Sequence, residues 1–400
     1  MTNIYAALEI GTSNTVLAIG ESENGGELRI STLAEIPSTG IRKSKIVNVN
    51  MATQSIRSVL RQIESKQAEN GATITVGNAF LLVSGQHVDT TPRTGNTALG
   101  GARVTDDDVS AVIDDADDMD LPNTRELLDI VHQDYMIDTN GGIQSPVGMT
   151  GGVLSLNALH IHADRNSVQD ARTAAESAHL EIREPLFATT CAADAVLEEH
   201  EKKNGVLVLD MGGGSTGYAA YMDGYLVTTG VIGVGGDHVT NDISYAFQTT
   251  LAQSEAIKVQ ASSAVLSSIA TEDERVKIPG SSTLLDSRTI SRRSLDTVVN
   301  ARLRELMAMI REKLEEKGLL SRLHKGTVLT GGGAAQKGLD LLVQRELGTP
   351  VRFGKPLHVS GLEKAAFPAR YAAIAGALLY ANSTCEKQST IVRIFKDIFT

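Results

Sequence analysis

The chain has 400 residues, of which 42% are hydrophobic and 21% charged, a balance that predicts a folded protein of roughly two to three domains. Its formal net charge is −11, so the basic surface of a general nucleic-acid-binding protein is missing, and we expect no nucleic acid partner. The two cysteines, Cys191 and Cys385, lie far apart in sequence, and no leader-like segment precedes the first predicted strand, which indicates a reducing, cytoplasmic location.

The first predicted element is a β-hairpin over residues 5–22. An apolar strand ends near the acid Glu9, a turn of small and polar residues follows, and a second apolar strand leads away. The turn consists of Gly11, Thr12, Ser13 and Asn14. Successive backbone N–H groups in such a turn can form a concave nest for phosphate oxygens, which makes the turn a candidate phosphate site. Apolar spacing then predicts a helix over residues 52–70.

The segment from residue 84 to residue 163 differs in character from the chain on either side. Its acid-rich stretch, residues 104–120, predicts a helix that begins at Thr105 and Asp108 in an arrangement like a capping box. These acids lack the loop spacing and the central glycine of a calcium-binding EF-hand. We therefore interpret the stretch as a helix with a solvated acidic face.

A second hairpin of the same design is predicted over residues 205–227, about half a chain after the first. Its first strand ends at Asp210. The turn residues are Gly212, Gly213, Gly214, Ser215 and Thr216. The glycines fit the spacing of a dinucleotide-binding loop, but that loop requires a helix directly afterwards. Here Asp223 and Gly224 give a strong hairpin signal between two strands, which favours a second phosphate-binding turn with added hydroxyl donors.

The two hairpins together predict more than either does alone. Two similar halves would bring the two turns face to face, so that they clamp a triphosphate from both sides. A Mg²⁺ ion bound to that triphosphate would need carboxylates, directly or through water. Asp210 and Glu9 lie at the strand ends where this charge is needed, and we assign them to positioning Mg²⁺ or water.

Two further glycine turns fit the same site. Gly235 and Gly236 directly precede a predicted helix. Gly331, Gly332 and Gly333 lie between a predicted strand and a predicted helix. Glycines at these places would let the backbone approach a flat ligand such as adenosine. Glu255 and Lys258 lie three residues apart on one helical face, which suits purine and ribose contacts but equally suits a surface ion pair.

The last twelve residues, 389–400, form an apolar stripe when placed on a helix. The stripe residues are Ile391, Val392, Ile394, Phe395, Ile398 and Phe399. Arg393, Lys396 and Asp397 fall on the opposite side, as in helices that lie in a membrane surface. The alternative is that the stripe packs on the body of the protein. In the earlier part of the chain, the glycine- and serine-containing sequence of residues 277–293 predicts an exposed excursion from the folded body.

The order of these motifs resembles that of the actin, Hsp70 and sugar-kinase ATPase superfamily. Within it the chain is similar to the FtsA family of bacterial cell-division proteins, on residues 129–152, residues 242–260 and the terminal stripe. The resemblance implies an α/β, two-lobed actin-like fold with ATP between the lobes, an inserted subdomain of the FtsA type and a C-terminal amphipathic helix. It implies these divisions: lobe 1 core at 1–83, continued at 164–204 and about 355–382; the insert at 84–163; lobe 2 core at 205–255, continued at 326–354; an outer subdomain at 256–325; a linker at 383–388; and the membrane-targeting helix at 389–400.

The resemblance also implies a function. An FtsA-like chain would bind ATP and Mg²⁺, form filaments with itself, and tether the tubulin-like FtsZ to the cytoplasmic face of the cell membrane at the division site, with other divisome proteins as partners. The outer subdomain would bind the C-terminal tail of FtsZ. Arg288, Arg292 and Arg293 form a basic patch there that suits an acidic and apolar tail, or that is simply a solvated basic loop.

Two residues depart from the pattern of the superfamily. Glu9 stands where an Asp is usual, and Gly217 stands where a second Asp often follows the glycine turn. Loss of that carboxylate removes a candidate for positioning Mg²⁺ or the attacking water, so we expect ATP binding but only slow or conditional hydrolysis. The alternatives are a small-molecule kinase or phosphatase, and a pilus- or shape-related actin-like protein.

Overall fold

The computed structural model describes residues 2–23, 26–69, 75–266, 274–279 and 288–384. The β-strands are β1 Thr2–Ile10, β2 Asn14–Glu23, β3 Leu28–Pro37, β4 Ile41–Arg42, β5 Lys45–Ile46, β6 Asn78–Val83, β7 Val88–Ala98, β8 Arg125–Ile137, β9 Asn140–Ile143, β10 Val153–Asp164, β11 Glu181–Phe187, β12 Val206–Met211, β13 Thr216–Met222, β14 Tyr225–Ile232, β15 Arg275–Lys277, β16 Thr289–Ser291, β17 Thr327–Thr330, β18 Val351–Phe353 and β19 Val359–Ser360. The α-helices are α1 Val49–Glu69, α2 Asp106–Asp117, α3 Arg165–Glu176, α4 Ala188–Val196, α5 Glu199–Asn204, α6 Gly236–Phe247, α7 Leu251–Ala261, α8 Arg292–Glu315, α9 Leu339–Leu347 and α10, described over 372–384.

The first lobe is built on a six-stranded sheet with the strand order β11-β6-β1-β2-β3-β19. Strands β1, β2 and β3 are antiparallel neighbours, whereas β6 is parallel to β1 and β11 is parallel to β6. Helix α1 lies in the crossover connection that leads to β6, the strand parallel to β1. It packs on β2 and β3 through Ala52, Ile56, Val59 and Ile63, whose three- and four-residue spacing puts them on one face.

The second lobe repeats this arrangement with a five-stranded sheet. Its order, β14-β13-β12-β17-β18, corresponds to β3-β2-β1-β6-β11 in the first lobe, with the same strand directions. The two halves predicted from the paired hairpins are therefore present in the topology. Because β1 and β12 hold equivalent central positions, the turns that follow Ile10 and Met211 lie at equivalent edges of their sheets.

The segment inserted after β6 forms a four-stranded sheet of its own, in the order β7-β10-β8-β9. Helix α2 covers β7 and β10, and it begins with the predicted capping box, in which Thr105 and Asp108 satisfy each other's backbone N–H groups. Gly95 explains the close packing of α2 on β7, because a Cβ atom at this residue would lie 2.5 Å from the carbonyl oxygen of Val112.

Helices α7 and α8 both pack on α6 in the second lobe, and the short β15–β16 ladder contacts α8. Helix α8 ends at Glu315, and Gly318 follows this end with a left-handed φ of 63°. Arg292 and Arg293 are the first residues of α8, and Arg288 lies just before β16. Residues 280–287 of the predicted excursion lie outside the described part of the chain.

Helix α10 runs through the core of the first lobe towards the C-terminus. It packs tightly on α4, because a Cβ atom at Gly376 would lie 1.8 Å from the carbonyl oxygen of Cys191. The predicted linker lies outside the described residues except for 383 and 384, and the apolar stripe lies wholly outside them. Among the described helices, none combines the length and the apolar character needed to cross a bilayer.

Candidate nucleotide site

A cavity of about 380 Å³ lies between the two lobes, at the edge where β1 and β12 end. Fourteen of the candidate residues line it: Glu9, Gly11, Thr12, Ser13, Asn14, Gly212, Gly213, Gly214, Ser215, Gly236, Glu255, Lys258, Gly332 and Gly333. Residues far apart in sequence thus meet in one place, as the two-hairpin hypothesis requires.

The two hairpin turns are closed in the same way. The Gly11 N–H donates to the carbonyl oxygen of Asn14 at 3.0 Å, and the Gly212 N–H donates to that of Ser215 at 2.9 Å. The turns also touch each other across the cavity. A Cβ atom at Gly213 would lie 2.1 Å from Ser13 Oγ, so any other residue at this position would force Ser13 to move.

The N-terminus of α6 supports the second turn from behind. The N–H groups of Gly236 and Asp237 donate to the carbonyl oxygens of Gly212 and Gly213 at 3.0 and 2.9 Å. A Cβ atom at Gly235 would lie 2.5 Å from the Gly213 oxygen, which explains a glycine at this residue. These N–H groups hold the turn in shape and are not directed into the cavity.

Four candidate residues do not line the cavity: Asp210, Thr216, Gly235 and Gly331. The Thr216 side chain is buried and its hydroxyl donates to the carbonyl oxygen of Val234 at 2.8 Å, which corrects the expectation that it is a free donor for phosphate. Asp210 lies just behind the wall and accepts from Thr330 Oγ1 at 3.3 Å. Gly331 has a φ of 80° and lies close to Asp210. A Cβ atom at Gly331 would lie 2.7 Å from Asp210 Oδ1, which explains a glycine at this residue.

The carboxyls at the ends of β1 and β12 lie in an electrostatically unfavourable position. Burial raises the pKa of Glu9 to about 8, and repulsion from Asp210 and Glu35 adds to the effect, whereas Arg370 opposes it. Burial likewise raises the pKa of Asp210 to about 6, against the hydrogen bond from Thr330. Burial thus disfavours the ionised form of both carboxyls, and a nearby cation would favour it.

Glu255 and Lys258 form an ion pair on α7, in which Lys258 Nζ lies 2.7 Å from Glu255 Oε2. Both residues also line the cavity. Lys258 Nζ also donates to the carbonyl oxygen of Gly236 at 3.1 Å and lies 2.9 Å from Thr240 Oγ1. The ammonium group is thereby fixed at the start of α6, beside the glycine turn. The two residues are therefore an ion pair that lines the cavity, and their contact with purine and ribose stays a prediction.

Several lining residues were not among the sequence candidates, notably Glu35, Ser44, Asp237 and Arg370. Arg370 pairs with Glu35, whose other oxygen accepts from the Tyr371 hydroxyl at 2.9 Å. Glu35, Ser44 and Arg370 stand in no local motif, whereas Asp237 directly follows the turn of Gly235 and Gly236. Glu35 could have been found only from strand register, because Glu9, Val16 and Glu35 lie side by side across β1, β2 and β3.

Gly217 lies beside Asp210 in the register of β12 and β13. A Cβ atom at Gly217 would lie 1.9 Å from Thr189 Oγ1 in α4. The packing of α4 therefore leaves no room for the aspartate that is usual after the glycine turn in the superfamily.

The arginines of the proposed partner patch are not all directed to solvent. Arg292 Nε pairs with Glu274 Oε1 at 3.1 Å, between the start of α8 and the chain before β15. The backbone of Arg288 accepts from the Ile278 N–H at 2.9 Å, which joins the two ends of the excursion. At least one member of the patch thus has a structural partner.

Comparison with known proteins identifies the family. The family model described as "Cell division protein FtsA" matches residues 207–376, and the model "SHS2 domain inserted in FTSA" matches residues 85–162. The cell division protein FtsA of Pseudomonas aeruginosa is 32% identical over 377 residues, which cover 94% of this chain and 89% of that relative. The chain belongs to the FtsA family. It is an actin-like cell-division protein, as the sequence resemblance predicts.

Solved structures agree with this FtsA membership at the level of the fold. The PilM-PilN type IV pilus biogenesis complex aligns with a TM-score of 0.64 at 17% identity, over 94% of this chain and 98% of that chain. MreB5 of Spiroplasma citri bound to ADP aligns with a TM-score of 0.57 at 13% identity, over 97% and 98%. The predicted α/β, two-lobed actin-like fold with an inserted subdomain is thereby confirmed.

Proposed function

We propose that this FtsA-family chain binds ATP with Mg²⁺ in the cavity between its lobes, forms filaments with itself, and tethers FtsZ to the cytoplasmic face of the cell membrane. The observation that carries the nucleotide part is the pair of equivalent glycine turns that face each other across the cavity. Backbone nests on both sides suit a chain of phosphates, which binds through many N–H groups at once.

The residues of the cavity fit the parts of the nucleotide. Gly11–Asn14 and Gly212–Ser215 would hold the phosphates, with Glu255 and Lys258 at the ribose and base and the turn 331–333 against the adenosine. Gly213 and Gly214 both line the cavity, and their missing Cβ atoms leave room for Ser13 and Thr12 of the facing turn. A Mg²⁺ ion would be held by Glu9 and Asp210, in part through water, and would supply positive charge to both acids and phosphates. MreB5, which shares the fold, has been solved with ADP.

ATP hydrolysis is expected to be slow. The position beside Asp210 is Gly217, and the contact with Thr189 excludes a carboxylate there. The chain thus keeps the groups that bind phosphate and lacks one group that would orient an attacking water. Nucleotide would then act as a conformational ligand that closes the lobes, and closed subunits would assemble into filaments.

The tether part of the proposal rests on the sequence of the C-terminal stripe and on family membership. Partial burial of its six apolar side chains in the headgroup boundary would be offset by the ordering of the helix, so a single tail is a weak anchor. A filament presents many tails and binds by avidity. The outer subdomain, 256–325, with Arg288, Arg292 and Arg293, would receive the acidic tail of FtsZ, and other divisome proteins would join through the remaining surface.

Calorimetry with MgATP tests the nucleotide part. Gly213→Ala places a Cβ atom where the two turns touch, 2.1 Å from Ser13 Oγ, so we expect it to weaken ATP binding by at least about tenfold. Gly77→Ala is the matched control, because a Cβ there has no neighbour within 4 Å. Absence of MgATP binding by the unsubstituted chain would overturn the nucleotide proposal.

Liposome flotation with and without residues 389–400 tests the tether. Flotation should be lost on truncation and should grow with conditions that favour filaments. A pull-down with an FtsZ tail peptide separates the divisome role from a pilus- or shape-related role, since only the former predicts capture of that peptide. Unchanged flotation of the truncated chain would overturn the membrane part.

A further inference from the structure

The small hairpin β4–β5 reaches over the end of the cavity where the two glycine turns meet. Its two strands are joined by Lys43 and Ser44, with φ values of 51° and 59°. Two successive left-handed residues define a turn in which Asn and Gly are preferred. Non-glycine residues persist in this conformation where surrounding contacts hold them in place, and Ser44 has such contacts.

Ser44 interacts with both hairpin turns. Its backbone N–H donates to Thr12 Oγ1 at 2.9 Å. Its hydroxyl oxygen lies 3.3 Å from Thr12 Oγ1 and 3.2 Å from Ser215 Oγ. Thr12 belongs to the first lobe and Ser215 to the second, so one side chain connects the two lobes at the phosphate end of the cavity.

Two glycines make room for Ser44. A Cβ atom at Gly214, in the turn of the second lobe, would lie 2.8 Å from Ser44 Oγ. A Cβ atom at Gly85, which has a φ of 125° and lies at the start of the inserted subdomain, would lie 2.6 Å from Ser44 Cβ. Ser44 is therefore enclosed by backbone from the second lobe and from the start of the insert.

We propose that Ser44 is a clasp residue, which holds the two lobes together over the phosphates and slows the release of nucleotide. The inference rests on the proposed nucleotide function of this cavity. A ligand held between two lobes leaves only when the lobes part, and the Ser44 contacts must break for this to happen at the phosphate end. The exposed Arg42, Lys43 and Lys45 surround the clasp with positive charge, which suits an anionic phosphate chain beneath it.

Ser44→Gly is the variant of choice, because glycine accepts the left-handed backbone and the hairpin can still form. We expect a fluorescent ATP analogue to dissociate about three- to tenfold faster from this variant in stopped-flow displacement, as loss of one or two net hydrogen bonds implies. Hydrogen exchange of the amides in the turn 212–215, measured without nucleotide, should also become faster. His358→Gly is the control, since His358 has a φ of 58° but is exposed and does not line the cavity.

Each outcome bears on the clasp. Faster release and faster exchange in Ser44→Gly alone support it. Release that is unchanged or slower in Ser44→Gly overturns it while leaving nucleotide binding intact, and equal acceleration by His358→Gly overturns it as well, because relief of backbone strain would then be the cause. If the unsubstituted chain binds no adenine nucleotide, the proposed function fails and the clasp fails with it.

Discussion

The charge of Asp210 acts across the cleft to raise the pKa of Glu9, although the strands of the two residues belong to different sheets. Glu9 lies near the end of β1 and Asp210 near the end of β12, which are the equivalent central strands of the two halves. Burial and repulsion together raise the pKa of Glu9 to about 8, and burial raises that of Asp210 to about 6. The repeated hairpin has thus placed two acids near the same edge of the cavity.

Glu9→Gln should stabilise the chain at alkaline pH in the absence of Mg²⁺ and nucleotide. The pKa of about 8 in the folded state lies above the ordinary glutamate value of 4.5, so the folded state holds this proton more tightly than the unfolded state does. Stability is therefore lost as the pH rises from about 4.5 to about 8. We expect Glu9→Gln to raise the free energy of unfolding by roughly 1–3 kcal/mol at pH 8.5 and by much less at pH 5.

Urea unfolding at the two pH values measures this effect. Glu64→Gln, on the exposed face of α1, is the matched control and should show no such gain at high pH. A stability difference between Glu9→Gln and the unsubstituted chain that does not change with pH would contradict the electrostatic explanation.

Binding of Mg²⁺ with nucleotide should release protons between about pH 6 and pH 8, because Glu9 and Asp210 must ionise before they can hold a cation. Affinity for MgATP should therefore rise across this range. Calorimetry in two buffers of different ionisation enthalpy counts the protons directly. Glu9→Gln should reduce the number released near pH 7, and a count that is unaffected by the substitution would argue that Glu9 does not approach the metal.

Gly217→Ala should destabilise the fold through one specific contact. Its Cβ would lie 1.9 Å from Thr189 Oγ1, so the helix α4 must shift or Thr189 must change rotamer, at a cost of about 1–3 kcal/mol. The same substitution in a Thr189→Ala background should cost clearly less. A double-mutant cycle of unfolding free energies tests this, and additivity of the two substitutions would refute the steric explanation for the glycine.

The glycine turns could be predicted from sequence because their signal is local. Gly11 and Gly212 each begin a turn between two apolar strands, and the repeat of that pattern predicted both the duplication and the meeting of the turns. The same reasoning failed at Thr216 because β13 already begins there, and strand alternation then directs its hydroxyl to Val234 and away from the cavity. Whether Thr216 belongs to the turn or to β13 thus decides whether its side chain faces the cavity.

Other residues of the site could not be predicted because only the tertiary fold brings them together. Arg370 reaches the cavity from the segment before α10, where it pairs with Glu35 of β3. Ser44 reaches it from a two-residue turn with no phosphate-binding pattern of its own. The family resemblance could not supply these residues either, since it carries over only motif positions.

Lys258 offers a test of which end of the nucleotide faces α7. Its ammonium group is held by Glu255 at 2.7 Å and by the Gly236 carbonyl at 3.1 Å, and only 11% of its side chain is exposed. Lys258→Gln should lower the affinity for ATP about tenfold, a loss of about 1.4 kcal/mol, and should leave the affinity for inorganic tripolyphosphate unchanged, because we place Lys258 at the ribose and base.

Lys313→Gln is the matched control for Lys258→Gln. Lys313 also belongs to an ion pair with a glutamate three residues away, Glu316 at 3.2 Å, but it lies on α8 away from the cavity and its side chain is 44% exposed. Both substitutions remove an ion pair with a glutamate three residues away, but Lys258→Gln also removes the bonds to Gly236 and Thr240, so urea unfolding of both variants is measured beside their ATP binding. Only Lys258→Gln should change ATP binding. An equal loss of ATP affinity in both variants would mean that helix stability, and not contact with the ligand, governs the result, and an equal loss for tripolyphosphate would move Lys258 to the phosphate end.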